Sequence, residues 1–240
     1  RASALGKKFG LNVYDADGEL IESEAVRRKG LTQNNYGALY NVSYHDDAWD
    51  VMGGLSAQMF RCNHWGYLTY IANEEVERQY LKDGGKYKYY DSDADKNDYS
   101  WFVKAAYNFG SGWNAFADMQ MRIVDYTTDG VNDKFIKGKK DGRTFYTQQQ
   151  LNIDETYVFY NPKAGISYTR GGHKAYASVA YANREPERNN FTDNSSAALP
   201  KAEHLFDTEL GYQYHAANWY ASANLYYMRY INQFVMTGAK

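Results

Sequence analysis

The sequence predicts an all-β protein whose strands form an antiparallel transmembrane β-barrel. Apolar and polar residues alternate with a period of two over long stretches, which is typical of strands with one apolar and one polar face. Short turns then alternate with long polar connections, and aromatic residues stand beside the short turns. A barrel that spans an outer membrane combines all three features.

Four hairpins follow from this alternation. The first joins residues 36–44 to residues 49–59 through a turn at Asp46-Asp47-Ala48. Glycine or small polar residues mark the turns of the others. These lie at 101–109 and 113–123 around Gly110-Ser111-Gly112, at 164–168 and 175–181 around Gly171-Gly172, and at 210–214 and 219–227 around residues 215–218.

Polar connections separate the hairpins, over roughly 62–97, 127–156 and 182–205, where we expect loops. Structureless loops of this length are uncommon in compact domains that lie in water. In outer-membrane barrels, short periplasmic turns on one rim alternate with long extracellular loops on the other. The order of turns and connections therefore predicts which rim faces the cell exterior.

Tryptophan placement gives the third observation. Trp49, Trp113 and Trp219 each follow a short turn, at the start of the next predicted strand. Amphipathic rings at one depth on successive strands are typical of the aromatic girdle at a membrane interface. The alternative is a β-sandwich in water, whose outer face is also polar, so alternation by itself does not separate the two.

Composition limits the classes of function. Lys and Arg number 27 against 29 Asp and Glu, so the formal net charge of −2 argues against a nucleic-acid partner. A single cysteine, Cys62, excludes an intrachain disulfide framework. The sequence contains no run of about 18 apolar residues, so it predicts no transmembrane helix. No Ser-His-Asp set, phosphate-binding loop or paired carboxylates with a pocket is evident, so we expect no enzyme and no cofactor.

The segments over 176–193 and 200–212 carry a family resemblance. A strand that leads into Arg184-Glu185-Pro186 precedes a Pro and Glu element and then Glu209-Leu210-Gly211-Tyr212. This pattern resembles the barrels of TonB-dependent outer-membrane receptors, and residues 223–235 are similar to the next strand of that family. Residues 27–40 resemble versions found in Bacteroidetes. Pro200-Lys201-Ala202-Glu203 departs from the family, in which Pro often directly precedes Glu.

The resemblance implies an outer-membrane location and the import of a scarce nutrient. Members have a plug domain, which contacts the TonB complex, inside a barrel of about 22 strands. Residues 1–240 would then be a middle-to-late part of such a barrel, without the plug and without the aromatic-terminated last strand at 237–240. The ligand would be an iron chelate, haem or cobalamin, or a glycan in some branches. Outer-membrane lipid and a surface lipoprotein are further expected partners.

Aromatic and basic residues of the connections are the candidate ligand contacts. Rings there can stack on a sugar, a catechol or a porphyrin, although girdle residues would give the same pattern. The arginines can meet an anionic chelate, or they can pair with Glu185 and Glu187 and hold their own loop. A β-protein that binds carbohydrate through these rings is the alternative function. The candidates are Trp65, Tyr67, Tyr87, Tyr89, Tyr90, Arg184 and Arg188.

Other polar residues favour structural roles. Cys62 and His64 are too few ligands for a metal site, and Lys96 replaces the glycine that a calcium loop starting at Asp91 would need. Glu74, Glu75 and Glu77 show no pocket for glycosidase chemistry. A polar lumen wall that faces the plug is expected from Lys104, Asp118, Arg122 and Asn224.

Overall fold

The computed structural model describes residues 3–82, 85–193 and 199–235. The expected chain end at 237–240 lies outside these residues. Contacts divide the chain into two compact units. Unit 1 comprises Arg1–Tyr36, Met59–Lys96 and Asp125–Glu155, and unit 2 comprises Gly37–Gln58, Asn97–Val124 and Thr156–Lys240.

Ten strands and three short helices make up the described chain. Two very short strands and one helix precede the long strands. No helix within 3–82, 85–193 and 199–235 is long and apolar enough to cross a membrane. The elements are β1 (Ser3–Ala4), α1 (Leu5–Phe9), β2 (Glu22–Ser23), β3 (Ala25–His45), β4 (Trp49–Ile71), α2 (Glu74–Tyr80), β5 (Tyr87–Gly110), β6 (Trp113–Lys140), β7 (Arg143–Arg170), β8 (His173–Arg184), α3 (Arg188–Thr192), β9 (Glu203–His215) and β10 (Tyr220–Ile231).

Eight strands form one sheet in which each strand pairs with its neighbour in the sequence. The order runs from β10 through β9, β8, β7, β6, β5 and β4 to β3, so β3 and β10 are its edges. Antiparallel register is regular over β8 and β9, from His173 opposite Tyr214 to Arg184 opposite Glu203. The antiparallel all-β architecture predicted from the sequence is therefore confirmed.

The predicted short turns are present. At the first turn, Asp46 Oδ1 accepts hydrogen bonds from the backbone N–H groups of Ala48 and Trp49 at 2.8 and 2.7 Å. The hydrogen bond from Trp49 is the main reason why the pKa of Asp46 is lowered. At the second turn, Gly110, Ser111 and Gly112 all have positive φ angles. Glycine adopts such angles without steric cost, which explains the glycines at positions 110 and 112.

The polar connections differ from the expected loops. Residues 127–156 belong almost entirely to β6 and β7, which continue to a two-residue turn at Asp141-Gly142. Most of 62–97 is likewise β4, α2 and β5, and 182–205 contains the ends of β8 and β9 with α3 between them. Backbone pairing holds these extensions together, so they need no apolar face, and their polar composition misled the loop prediction.

A hydrophobic cluster forms the core of unit 1. The segment before β3 supplies Leu5, Phe9 and Leu11, and α2 supplies Val76. Asn73 caps α2 by accepting a hydrogen bond from the backbone N–H of Val76 at 3.1 Å. These residues pack on the strands around Leu68, Ile71, Leu81, Tyr89 and Tyr90.

Unit 2 has a face of exposed apolar and aromatic residues. Four strands, counting for β10 the residue directly before it, carry an aromatic residue near the short-turn end and another eight residues away along the chain, on the same face by the period of two. Several of these rings expose more than half of their surface, such as Phe109 at 61% and Tyr227 at 60%. The pairs are Trp101 and Phe109, Tyr160 and Tyr168, Phe206 and Tyr214, and Trp219 and Tyr227.

Rings at the short-turn end contact one another across strands. Trp49 lies 4.6 Å from Tyr107 between ring centroids, and Trp113 lies 4.7 Å from Tyr168. Tyr214 lies 5.0 Å from Trp219. The aromatic residues beside the turns therefore form a belt at one end of unit 2.

We predict that Gly112→Ala destabilises the fold far more than Gly110→Ala. A Cβ at Gly112 would lie 2.1 Å from the Thr169 carbonyl oxygen, whereas one at Gly110 would have no neighbour within 4 Å. Both residues have positive φ, so each change adds strain of about 1 kcal/mol, and the backbone clash at Gly112 adds about 1–3 kcal/mol. Urea unfolding in detergent measures the difference, and equal losses would contradict the clash.

Candidate functional site

Two of the candidate rings belong to a cluster of rings and cations in unit 1. Trp65 and Tyr67 contact each other, with ring centroids 5.5 Å apart. The Arg28 guanidinium lies 6.0 Å from the Trp65 centroid, and Lys88 Nζ lies 5.5 Å from the Tyr67 centroid. We call Arg28, Trp65, Tyr67 and Lys88 the cation–aromatic strip.

The strip is fixed by its neighbours on β3. A Cβ at Gly30 would lie 2.2 Å from the Trp65 ring, so only glycine lets the indole lie across this strand. Trp65 Nε1 donates a hydrogen bond to Thr32 Oγ1 at 3.3 Å. Trp65 and Tyr67 also share the face of β4 that carries the exposed Met59, because side chains alternate along a strand. These two rings lie on a strand, whereas the sequence predicted a loop.

The candidates on β5 are largely buried. Tyr89 is 1% exposed and Tyr90 is 6% exposed. Tyr89 packs edge-on against Phe9 at 5.1 Å, and burial raises the pKa of its phenol. Tyr87 is half-buried and contacts Tyr80 at 5.1 Å. In this conformation Tyr89 and Tyr90 stabilise the core of unit 1, and a ligand has no access to the Tyr89 ring.

Acidic side chains on β5 are held by neighbours on β4 and β5. Asn63 Nδ2 donates to Asp91 Oδ1 at 2.7 Å and to Asp93 Oδ1 at 2.8 Å. Lys88 pairs with Asp91 at 2.6 Å, which lowers the pKa of Asp91 and raises that of Lys88. Among the described residues no group of three His, Cys, Asp or Glu side chains could hold a metal ion.

The arginine candidates lie near the end of β8. Arg184 pairs with Glu203 at 3.3 Å, and the two residues are opposite each other in the register of β8 and β9. The Arg184 side chain is nevertheless 60% exposed. Arg188 begins α3, and Glu187 forms a capping box with Asn190. The carboxylate partner of Arg184 thus comes from the next strand, whereas one of the two alternatives was pairing with Glu185 and Glu187.

Arg122 forms a partly buried ionic cluster with Asp98 and Glu185 in unit 2. Its Nε donates to Asp98 Oδ2 at 2.9 Å. Its Nη1 and Nη2 donate to the two oxygens of Glu185 at 2.8 and 3.0 Å. Side-chain exposure is only 11–23% for the three residues. Arg122 was expected in a polar wall, but its role in holding Glu185, 63 residues away, was not foreseen.

The other residues of the expected polar wall have separate surroundings. Lys104 is exposed on β5, and Asp118 is half-buried on β6. Asn224 Oδ1 accepts a hydrogen bond from the Tyr176 hydroxyl at 3.2 Å. Tyr176 lies across Gly211 of β9, where a Cβ would meet the ring at 2.1 Å. The polar face of unit 2 is thus organised by hydrogen bonds between strands.

No protein-family model matches the chain, and no curated protein matches it by sequence. Solved structures do match. The copper transporter OprC superposes with a TM-score of 0.60 at 13% identity, over 83% of this chain and 30% of that one. The ferric-catecholate import receptor Fiu from E. coli K12 gives 0.55 at 13% identity, over 88% of this chain and 32% of that one.

A third match is the ferric yersiniabactin uptake receptor FyuA from Yersinia pestis. It superposes with a TM-score of 0.53 at 14% identity, over 86% of this chain and 30% of that one. These matches show that the chain has the fold of a segment of each of these proteins. It spans about a third of the length of these receptors.

We predict that Arg122→Ala lowers the free energy of unfolding by about 3 kcal/mol, because it removes the cation that pairs with two partly buried carboxylates. The matched control is Lys104→Ala, which removes an exposed cation that makes no ion pair with any described residue. Its expected cost is below about 0.5 kcal/mol. Adding Asp98→Asn and Glu185→Gln to Arg122→Ala should restore part of the loss. Similar costs for the two alanine variants in urea unfolding would contradict this role.

Proposed function

We propose that this chain is part of the barrel of a TonB-dependent outer-membrane receptor that imports a scarce nutrient. The observation that carries the proposal is the pair of aromatic positions, eight residues apart, on one exposed apolar face of four strands in unit 2. Large exposed apolar faces are rare on proteins that stay in water. Contact with lipid would remove the apolar side chains of this face from water.

The spacing of the aromatic positions supports a membrane of ordinary dimensions. Eight residues of an antiparallel strand span about 27 Å, and a tilt of about 40° reduces the height to about 21 Å. This value is close to the apolar band of about 25 Å in outer-membrane barrels. The residues between the aromatic positions on this face include Val103, Leu210 and Leu225, which are about half exposed or more.

Orientation follows from the connections. The turns at 46–48, 110–112, 171–172 and 216–218 lie directly beside the aromatic belt, as periplasmic turns do. The Asp141-Gly142 turn is also short, but β6 and β7 extend far beyond the apolar face before they reach it, as strands do on the extracellular side. The opposite strand ends, which include those of β4, β6 and β7, would lie outside the cell. Candidate nutrient contacts of this side are Trp65, Tyr67 and Tyr87, with Tyr89 and Tyr90 accessible only after rearrangement of the core of unit 1.

The proposed receptor has further strands and partners. β3 and β10 are edges of the sheet, and in a closed barrel both pair with neighbouring strands. A plug that contacts the TonB complex, outer-membrane lipid and a surface lipoprotein are the proposed partners, and a Bacteroidetes source is suggested by residues 27–40. The proposed protein binds and transports its ligand and catalyses no reaction.

The proposed ligand is an iron chelate, haem or cobalamin. A glycan is the second candidate, and the observation that favours it is a cavity with aromatic and charged walls near the Asp141-Gly142 turn. Arg184 and Arg188 would contribute positive charge near the end of β8 in either case. The exposed guanidinium of Arg184 suits an anionic ligand group.

We predict that Ala223→Arg prevents stable insertion into a membrane, whereas Ser222→Arg does not. Ala223 lies midway between Trp219 and Tyr227 on the proposed lipid face, and arginine there costs about 2–4 kcal/mol. Ser222 is the adjacent residue, so it lies at nearly the same depth but on the opposite face of the strand. In the register with β9, Ser222 is opposite Gln213 and Ala223 is opposite Tyr212. Folding into lipid vesicles, followed by protease protection, measures the effect. Equal insertion of both variants would contradict the lipid face.

We predict that a strain without the encoding gene loses growth on one limiting nutrient. Iron chelates, haem, cobalamin and glycans are supplied one at a time, and the wild-type gene is returned on a plasmid as the control. The loss should be reproduced by removing TonB, because the proposed transport depends on its energy. Unchanged growth on every nutrient would contradict the import function.

A further inference from the structure

A cavity of about 430 Å³ lies in unit 1 beside the turn that joins β6 to β7. One wall is the segment before β3, with Asn12 and Tyr14, and the other is the end of the hairpin. The volume falls within the range of about 300–1,000 Å³ that is usual for small-molecule sites. The hairpin residues that line the cavity are Lys140, Asp141, Arg143 and Phe145.

The turn places two cations next to each other. Asp141 and Gly142 both have positive φ, 52° and 79°, as a type I′ turn requires. Lys140 ends β6 and Arg143 begins β7, so their side chains are cross-strand neighbours. Like charges in this position destabilise a hairpin. Within the described part of the chain, no carboxylate forms an ion pair with either residue.

The aromatic wall is held in place by backbone contacts. The Tyr14 hydroxyl donates to the Thr144 carbonyl at 2.8 Å, and the Arg143 guanidinium lies 5.4 Å from the Tyr14 ring centroid. Asn12 Nδ2 donates to the Tyr146 carbonyl at 2.8 Å, and the Tyr146 N–H donates to Asn12 Oδ1 at 2.7 Å. The wall is therefore preformed.

We propose that this cavity binds a carboxylate-bearing sugar unit. Arg143 supplies the planar fork that matches a carboxylate, and Lys140 adds a second positive charge. The bound carboxylate would also relieve the repulsion between the two cations. Asp141 accepts hydrogen bonds from sugar hydroxyls, and Phe145 and Tyr14 provide apolar contact for the ring.

The charge near the cavity selects for an acid over a neutral sugar. The lining residues carry two positive charges, on Lys140 and Arg143, against a single acid, Asp141. The acidic residues that follow Tyr14 in the sequence, Asp15, Asp17 and Glu19, do not line the cavity. They are exposed, and Asp15 Oδ1 accepts hydrogen bonds from the backbone N–H groups of Asp17 and Glu19. The role of the cavity in nutrient capture rests on the proposed import function, whereas binding itself does not.

Isothermal titration of the folded protein in neutral detergent with glucuronate tests the proposal. Glucuronate should bind, and Arg143→Gln should weaken binding about tenfold, which corresponds to the loss of about 1.4 kcal/mol. Lys140→Gln should also weaken binding. The matched control is Lys137→Gln, which removes the same charge from the same hairpin but does not line the cavity, and its affinity should stay within about twofold.

Several outcomes would overturn the proposal. Absence of heat with glucuronate excludes the site, and glucose binding as tightly as glucuronate excludes the role of the carboxylate. Inorganic phosphate that binds as tightly excludes recognition of a sugar. An equal loss with Lys137→Gln would show unspecific attraction. Circular dichroism verifies that each variant is folded, and vesicle insertion of Arg143→Gln shows separately whether the membrane part of the proposed function holds.

Discussion

Backbone pairing between sequence neighbours is the constraint on which the rest of this structure depends. Each of the eight long strands hydrogen-bonds to the strand before or after it, so the peptide groups are satisfied whatever the side chains are. Pro162, the one proline within these strands, has no backbone N–H, and its surroundings show how the lost hydrogen bond is compensated. Near Pro162, the Asn183 side chain donates from Nδ2 to the Tyr160 carbonyl at 2.8 Å, and the Asn183 backbone N–H donates to Asn161 Oδ1 at 2.9 Å. Side chains therefore replace backbone-to-backbone hydrogen bonds at this point of the sheet.

Because the backbone groups of the sheet are paired whatever the side chains are, the two units can carry side chains of different polarity. In unit 2 the alternation gives an apolar face with aromatic residues at both ends of it. In unit 1 the strands keep the same pairing but carry polar and charged residues, joined across strands by contacts such as Asn63 to Asp91 and Asp93. Its core comes from the segment before β3 and from α2. The same secondary structure therefore carries an exposed apolar face in unit 2 and polar side chains in unit 1.

This difference explains what the sequence could and could not predict. Alternation and turn residues predicted the hairpins around 46–48, 110–112, 171–172 and 216–218, because both signals are local. The continuation of β6 and β7 to Asp141-Gly142 was missed, because polar residues on both faces remove the periodic signal. Arg122 and Glu185 are 63 residues apart, and only the folded sheet brings them together. Tyr89 and Tyr90 were predicted to be loop rings open to a ligand, but Phe9 packs on Tyr89, and the Tyr90 ring lies over Gly66 of β4.

The distribution of ion pairs separates structural charges from charges available to a ligand. Arg122, Arg184 and Lys88 each have a carboxylate within 3.3 Å, so an anion would have to displace that partner. Lys140 and Arg143 have none among the described residues, and their mutual repulsion costs stability in the free protein. Because a bound anion removes that cost and competes with no internal carboxylate, anion binding is more favourable at the Asp141-Gly142 turn than at the better-paired arginines. By the same reasoning, the long, polar hairpin of β6 and β7 contributes the cations of the proposed binding site as well as connecting the two strands.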